Sequence, residues 1–247
     1  VSDPDNYASQ AELYDLAFAW DVAGEVAWFL DRAGPDVRSV LEPFCGNGRL
    51  FPELARRGIA VAGVDLSPSM LDRAAARMRA AGHPAPLLAQ GDARDFDLGR
   101  TFDAAICPVN SVGHLHVHDD LVRHLDCVAR HLRPGATYFV QLGLRDAARY
   151  RPLEVGTASQ WSVATPHGTL RTPGGSGGFD AASRVETQVA RFEWTDGPRA
   201  GTRAEFEHRM RLWDWDSWSR ALAATPFRET AAWDGDFADR PPLPRGP

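Results

Sequence analysis
The sequence predicts an α/β fold: a doubly wound, mostly parallel sheet with a small antiparallel sheet inserted into it. Apolar runs and helical patterns alternate five times between residues 37 and 142, which argues for a parallel sheet covered by helices on both faces. The first run ends in "EPFCGNGR", a strand-to-helix turn with two glycines where such sheets open their ligand crevice. After Leu144 the pattern changes to period-two alternation broken by turn residues, the mark of antiparallel strands.

Two helices are expected first, "ASQAELYDLAFAW" with Leu13, Leu16, Ala17 and Trp20 at helical spacing, and "DVAGEVAWFLDRAG" with Val22, Val26, Phe29 and Leu30 on one face. Gly34-Pro35 stops the second. "VRSVLE" reads as a buried strand, followed by a helix over about 49–57, then by "IAVAGVD" as the second strand. Ser67-Pro68 opens a long helix with serine as cap and proline in the first turn. "PLLAQ" and "FDAAIC" are the third and fourth strands, and 119–133 is a helix stopped by Pro134-Gly135 before the fifth strand, "ATYFVQL". Beyond it, "PGGSGG" at 173–178 reads as a flexible loop among antiparallel strands that end near Trp213. "DWDSWSRALAA" is a closing helix, "FRETAAW" a further strand, and "RPPLPRGP" an irregular end. The expected division is amino-terminal helices over the crevice (1–35), core (36–150), inserted lid (151–213) and closing helix, strand and tail (214–247).

Bulk composition sets limits. Of 247 residues 44% are hydrophobic and 24% charged, as in a globular domain with a sizeable core. All 27 basic residues are arginine, and a formal net charge of −6 argues against a general nucleic-acid binder. Cys45, Cys107 and Cys127 are too few and too scattered for a disulfide scaffold or a zinc cluster, and read as reduced thiols filling apolar space. With no apolar stretch of membrane-spanning length and no secretory pattern at its start, the chain is expected to be soluble and cytoplasmic. Nothing separates a monomer from a homodimer.

Chemistry concentrates at the strand ends. Gly46 and Gly48 remove side chains where a ligand can sit against backbone. No Gly-Lys-Ser/Thr follows, and the third glycine of a dinucleotide fingerprint is missing, so a phosphate is not the obvious ligand. Asp65 ends the second strand in "GVDLSPSML", placed to accept from both hydroxyls of a ribose, while Ser67 is the better helix cap. Asp92, in "GDARDF", falls beside it at the third strand's end and can accept from an adenine amino group. The series outlines an adenosine.

In order and spacing, "VLEPFCGNGR", "GVDLSPSML", "GDARDF", "FDAAICPVNSVGHL" and "HLRPGATYFV" resemble the class I S-adenosylmethionine-dependent methyltransferases, over roughly residues 37–142. The resemblance implies a Rossmann-like fold and S-adenosyl-L-methionine as cofactor. It also implies roles: Glu42, Gly46 and Gly48 for the methionine and sugar part, Asp65 for the ribose, Leu66 against the adenine, and Asp92 with Ala93 at the adenine edge. Pro108 and Val109 would border the sulfonium end, and Tyr7 and Tyr14 would sit in helices folded over the cofactor. A tyrosine packed on the sheet is the other reading of Tyr14. Arg49 pairs either with the cofactor carboxylate or with an acid of the amino-terminal helices.

The acceptor is expected to be a small molecule, methylated on nitrogen or oxygen by in-line attack, with a secondary metabolite or peptide as examples. His114 in "NSVGHLHVHDD" is the candidate catalytic residue, as polar wall of the acceptor pocket or as base. A structural histidine is the plain alternative, and no metal is expected at His114, His116 and His118. Asn110, expected with His114 as an acceptor contact, lies in "CPVNSVG", which does not match the motif of DNA amino-methyltransferases. The inserted strands are expected to roof the pocket, with Trp161, Arg191, Trp194, His208 and Trp213 of interest and Trp161 and Arg191 as acceptor contacts. A non-catalytic cofactor-binding domain and an NAD(P)-dependent oxidoreductase are the rival readings.

Overall fold
The computed structural model describes residues 11–145, 150–152, 154 and 160–233; Tyr7 and the proline-rich end lie outside them. Helices α1 (Ala11–Ala17) and α2 (Ala23–Ala33) precede strand β1 (Ser39–Pro43). Then come α3 (Phe51–Arg56), β2 (Ala60–Asp65), α4 (Pro68–Ala80), β3 (Leu87–Gln90), β4 (Phe102–Cys107), a one-turn helix at Ser111–His114, α5 (His118–Arg130) and β5 (Leu132–Val140). These five strands form one parallel sheet in the order β3-β2-β1-β4-β5. The chain winds outward from β1 to β3 and returns to β4 on the other side of β1. That reversal opens a crevice at the carboxyl ends of β1 and β4.

Alternation along the buried strands sends neighbours to opposite faces. Val40, Val61, Ala104 and Ile106 meet α2, α3 and α4 through Phe29, Phe51, Leu54 and Ala74. Leu41, Ala62, Val64 and Ala105 meet Cys127 and Val128 of α5. Helix α4 starts where expected, because the Ser67 hydroxyl accepts from the Met70 N–H at 3.3 Å and Pro68 needs no donor.

The second sheet is antiparallel, in the order β6 (Gln160–Thr165), β7 (Gly168–Asp180), β8 (Val185–Trp194) and β9 (Arg203–Arg211), followed by α6 (Trp215–Ala223). Helix α6 opens with a capping box between Asp214 and Ser217 and packs on α5 around Trp213. Near Trp213 the sheet rejoins the core, where Trp213 Nε1 donates to the Val112 carbonyl at 3.3 Å.

Four expectations are corrected. "PGGSGG" lies inside β7, not in a loop: Gly174, Gly175 and Ser176 pair with Ala190, Val189 and Gln188, so β8 supplies the ladder that glycine alone would not favour. Helix α5 ends at Arg130, and Pro134-Gly135 sits within β5 where the register with β4 shifts between Phe102 and Ala104; proline is tolerated there because the ladder is already interrupted. "FRETAAW" forms no strand. It wraps the β5 edge by packing, with Phe227 on Tyr138 at 5.8 Å and Trp233 on Trp28 at 5.1 Å, on opposite faces of the sheet. Lastly, the two amino-terminal helices do different jobs: α2 belongs to the core, whereas α1 packs on the inserted sheet through Ala17, Leu170, Phe192 and Trp194.

Candidate active site
The loop after β1 is built from left-handed residues: Phe44, Gly46 and Gly48 have φ of 60°, 51° and 63°. A bulky residue such as Phe44 in that region stores strain, which persists only where the surroundings enforce it. Here they do. The Cys45 N–H donates to the Val64 carbonyl at 3.0 Å, the Gly46 N–H to Asp65 Oδ2 at 2.8 Å, and Arg77 Nε to the Asn47 carbonyl at 3.1 Å. Asp15 of α1 accepts from Asn47 Nδ2 and from Arg73 and Arg77, so α1 is strapped to the loop.

The two glycines have different reasons. A side chain at Gly46 would meet nothing within 4 Å, so this position faces open space at the crevice. At Gly48 a Cβ would come within 2.7 Å of the Phe51 ring and 2.9 Å of Ala74 Cβ, so that glycine lets α3 and α4 close on the loop. Gly63 in β2, which sequence reading passed over, makes room for the Cys45 thiol.

Glu42, one residue before the end of β1, is buried, and its Oε2 has no hydrogen-bond partner among the described residues. Burial raises its pKa to about 8; Arg49 opposes the rise, while Glu25 and Asp65 add to it. Arg49 itself binds Glu25 with two hydrogen bonds, 2.7 and 2.9 Å long, which decides between its two expected partners in favour of an α2 acid. Burial also raises the Asp65 pKa, against the N–H bonds from Ser67 and Gly46. Asp65 therefore both faces the crevice edge and pins the glycine loop.

Beside it, Leu66 is 51% exposed, an apolar side chain left open at the end of β2. Asp92 is already gripped by Arg94, whose N–H and Nε donate to Oδ1 at 2.9 Å, and Arg94 continues to Asp120 at 2.8 Å. That guanidinium holds the Asp92 pKa down, and any ligand amino group would share the carboxylate with it. The Ala93 carbonyl accepts from His124 Nδ1 at 2.8 Å.

After β4, Pro108 is buried while Val109 is 44% exposed, and Val109 and Asn110 are both left-handed at φ 57° and 58°. Two side chains enforce that strained pair: Gln141 Oε1 accepts from the Val109 N–H at 2.7 Å, and Asn110 Oδ1 accepts from the Gly143 N–H at 2.9 Å. Asn110, expected as an acceptor contact, thus bolts the β4 loop to the β5 loop with its oxygen.

His114 closes the one-turn helix that follows. The residue is exposed on that turn, with protein packed closely around it. Desolvation, then the His208 and His116 rings, push its pKa down. The inserted sheet brings His208 opposite, with ring centroids 6.5 Å apart, and the Tyr14 hydroxyl lies 2.7 Å from His208 Nε2. His116 turns away to the Arg209 carbonyl at 2.8 Å.

The structure moves the two remaining acceptor candidates out of this cluster. Arg191 lies on the outer face of β8 and pairs with Glu205, because alternation gives the inner face to Ala190, Phe192 and Trp194. Trp161 is spent on α1, donating Nε1 to the Ala17 carbonyl at 2.8 Å and meeting Phe18 edge-on. Asp15 and Glu25, which hold the loop and Arg49, carry no signal in the sequence beyond being acids of helices.

Comparison with known proteins identifies the family. A family profile described as a methyltransferase domain matches residues 40–135. The dTDP-3-amino-3,6-dideoxy-alpha-D-glucopyranose N,N-dimethyltransferase of Streptomyces fradiae is 31% identical over 87% of this chain and 82% of its own. The cypemycin N-terminal methyltransferase of a Streptomyces species is 30% identical over 98% and 94%. Among solved structures, an amino pentose methyltransferase from Micromonospora echinaspora with S-adenosylmethionine bound is 26% identical, with a TM-score of 0.66 over 82% of this chain and 80% of that one. The chain belongs to the S-adenosylmethionine-dependent methyltransferases.

S-adenosylmethionine is its cofactor, and the residues present suit it. The orphaned oxygen of Glu42 complements an ammonium, the space at Gly46 admits a ligand against backbone, and Leu66 and Val109 leave apolar surface to be covered.

Proposed function
We propose that the chain methylates a primary amine of a small-molecule acceptor held between the core and the inserted sheet, and that it works in the cytoplasm as part of biosynthesis. When bound, S-adenosylmethionine supplies an activated methyl group, so the protein's task is to align the acceptor and keep its nitrogen unprotonated. Glu42 receives the cofactor ammonium, Asp65 accepts from the ribose, and Leu66, Asp92 and Ala93 border the adenine. Gly46 leaves the approach open, Gly48 holds the loop's shape, and Pro108 and Val109 line the methyl end, with Tyr14 above.

The observation that carries the amine reading is His114, on the turn after β4, open to the cleft and biased toward its unprotonated form. An unprotonated imidazole can accept a hydrogen bond from the acceptor ammonium and orient it, while the proton itself leaves to water, because desolvation has made the ring a weak base. The two relatives described above, one acting on an amino sugar nucleotide and one on a peptide amino terminus, share only that chemistry, an amine nitrogen.

The test is incubation with S-adenosylmethionine and four acceptors: a dTDP-linked amino sugar, a short peptide with a free amino terminus, and the hydroxyl counterpart of each. Mass spectrometry should find one or two added methyl groups on an amine and none on a hydroxyl compound. Methylation of the hydroxyl compounds alone, or of none of the four, would contradict the proposal.

A further inference from the structure
Between β3 and β4 the chain runs through 91–101 as a loop whose one ladder contact is the isolated bridge from Asp92 to Asp95. Ala93 and Phe96 of this loop are buried, so their backbone groups need partners from elsewhere. One side of α5 supplies them. Asp120, His124, Cys127 and His131 follow one another at spacings of four, three and four, which stacks them along one helix face. Asp120 accepts from Arg94 at 2.8 Å, and His124 Nδ1 bonds the Ala93 carbonyl at 2.8 Å. Cys127 Sγ accepts from the Phe96 N–H at 3.3 Å, and His131 Nε2 from the Leu98 N–H at 3.1 Å. A helix face turned to the core is normally apolar. Here a polar stripe grips a loop along its length.

Two of these bonds act on the residues expected at the adenine edge. Arg94 Nε donates to both Asp92 oxygens, at 2.9 and 3.0 Å, and Asp120 holds Arg94 from behind, so α5 sets where that carboxylate points. His124 sets the next residue. A carbonyl only accepts, so Nδ1 carries the hydrogen, and Nε2 is left as acceptor for the Tyr138 hydroxyl 2.8 Å away. The ring is fully buried with both nitrogens used, in one tautomer. Apolar packing would also hold helix to loop, but only directional bonds fix the orientation of the peptide they meet.

Resting on the placement of Asp92 and Ala93 at the adenine edge, we propose that His124 is a positioning residue for the cofactor: through the Ala93 carbonyl it holds the edge that reads the purine's 6-amino group. Asp120 does the same for Asp92 through Arg94. The pair selects an adenosyl cofactor over its 6-oxo counterpart. A carboxylate accepts from an amino group and repels a carbonyl oxygen, but it tells them apart only while it is held in line with the purine edge, because a hydrogen bond weakens steeply as it bends. Purine selectivity therefore depends on a helix that itself never touches the purine.

The test compares calorimetric affinities for S-adenosylhomocysteine and for S-inosylhomocysteine, in which a carbonyl oxygen replaces the 6-amino group. Wild type should prefer the adenosyl compound by at least about tenfold, the scale of one hydrogen bond to a charged group. Asp92→Asn should erase most of that preference, because an amide can donate to the carbonyl. Asparagine puts its amide nitrogen near the place of Nδ1, glutamine near that of Nε2. His124→Asn should therefore keep the Ala93 bond and a preference within about twofold of wild type, whereas His124→Gln should cut it to about threefold or less. Each variant loses one buried bond and should unfold at lower urea than wild type, so stability alone predicts no difference in preference between them. Asp120→Ala, at the partly exposed end of the stripe, should lower the preference as well, and it tests the clasp without touching the core. A preference unchanged in His124→Gln and Asp120→Ala, or reduced equally in His124→Gln and His124→Asn, would overturn the proposal and leave the stripe as loop packing. A wild type without preference, or a preference that Asp92→Asn does not alter, would instead contradict the adenine placement, and this inference would fall with it.

Discussion

Glu42 is the residue whose charge state the cofactor should change. Free, its carboxyl is held near a pKa of about 8 by burial, so it is mostly protonated at neutral pH. An ammonium placed against its orphaned oxygen favours the carboxylate, so binding should release up to one proton. Affinity for S-adenosylmethionine should then rise with pH and fall again once the cofactor's α-amino group, which titrates at about 8, loses its charge. Calorimetry in buffers of different ionisation enthalpy reads that proton directly, and Glu42→Gln should abolish its release. The two loop glycines make a paired prediction. Gly46→Ala, in open space, should cost stability only about 1–2 kcal/mol for its left-handed backbone, yet weaken cofactor binding. Gly48→Ala adds a clash with Phe51 and Ala74, and should lose roughly 2–4 kcal/mol in denaturant unfolding. The sequence exposed both glycines but not their division of labour, because that depends on what stands opposite each one.

Element by element, what could be read from the chain follows from how locally each piece is determined. Strands β1, β2 and β4 are apolar runs buried on both faces, and α4 carries its own cap, so all four stand where expected. The "PGGSGG" strand, the β5 bulge and the unpaired "FRETAAW" depend on a neighbour's hydrogen bonds or ring faces, which no local pattern records. Helix α5 illustrates a tertiary role hidden in a periodic pattern. Its His124 is fully buried, with Nδ1 on the Ala93 carbonyl and Nε2 2.8 Å from the Tyr138 hydroxyl, tying the loop after β3 to β5. Burial lowers its pKa from 6.5 to about 4, so the unfolded chain binds the extra proton between those values. Stability from this group is therefore complete above about pH 6.5 and lost as pH falls through about 4, a swing of roughly 3 kcal/mol. Urea unfolding at neutral and acid pH should show the loss, and His124→Gln should flatten it. An acid dependence unchanged in the variant would contradict the assignment.

For the whole molecule, the proposed function places the acceptor where the two sheets meet. The core sheet brings Glu42, Asp65 and Asp92 to the ends of its strands, and these were legible because strand order and loop position fix them with little help from the rest of the fold. The acceptor side was legible only in part. His114 follows β4 directly and stands across from His208, whereas Arg191 lies on the outer face of β8 paired with Glu205 and Trp161 donates to the Ala17 carbonyl of α1. Which side of an inserted strand looks inward is set by docking, through α1, Met210 and Trp213. Among the described residues no helix is long and apolar enough to cross a membrane. Helix α1 joins the two halves, its Asp15 on the glycine loop and its Tyr14 on His208.

The central claim is that the adenosyl cofactor lies at the crevice between β1 and β4, against the glycine loop that Asp65 pins. Calorimetric titration of S-adenosylmethionine into the wild-type protein and Asp65→Ala tests it most directly. Micromolar binding in the wild type, weakened at least about tenfold in the folded variant, is the predicted result. Equal binding by both proteins, or none by folded wild type, would contradict it.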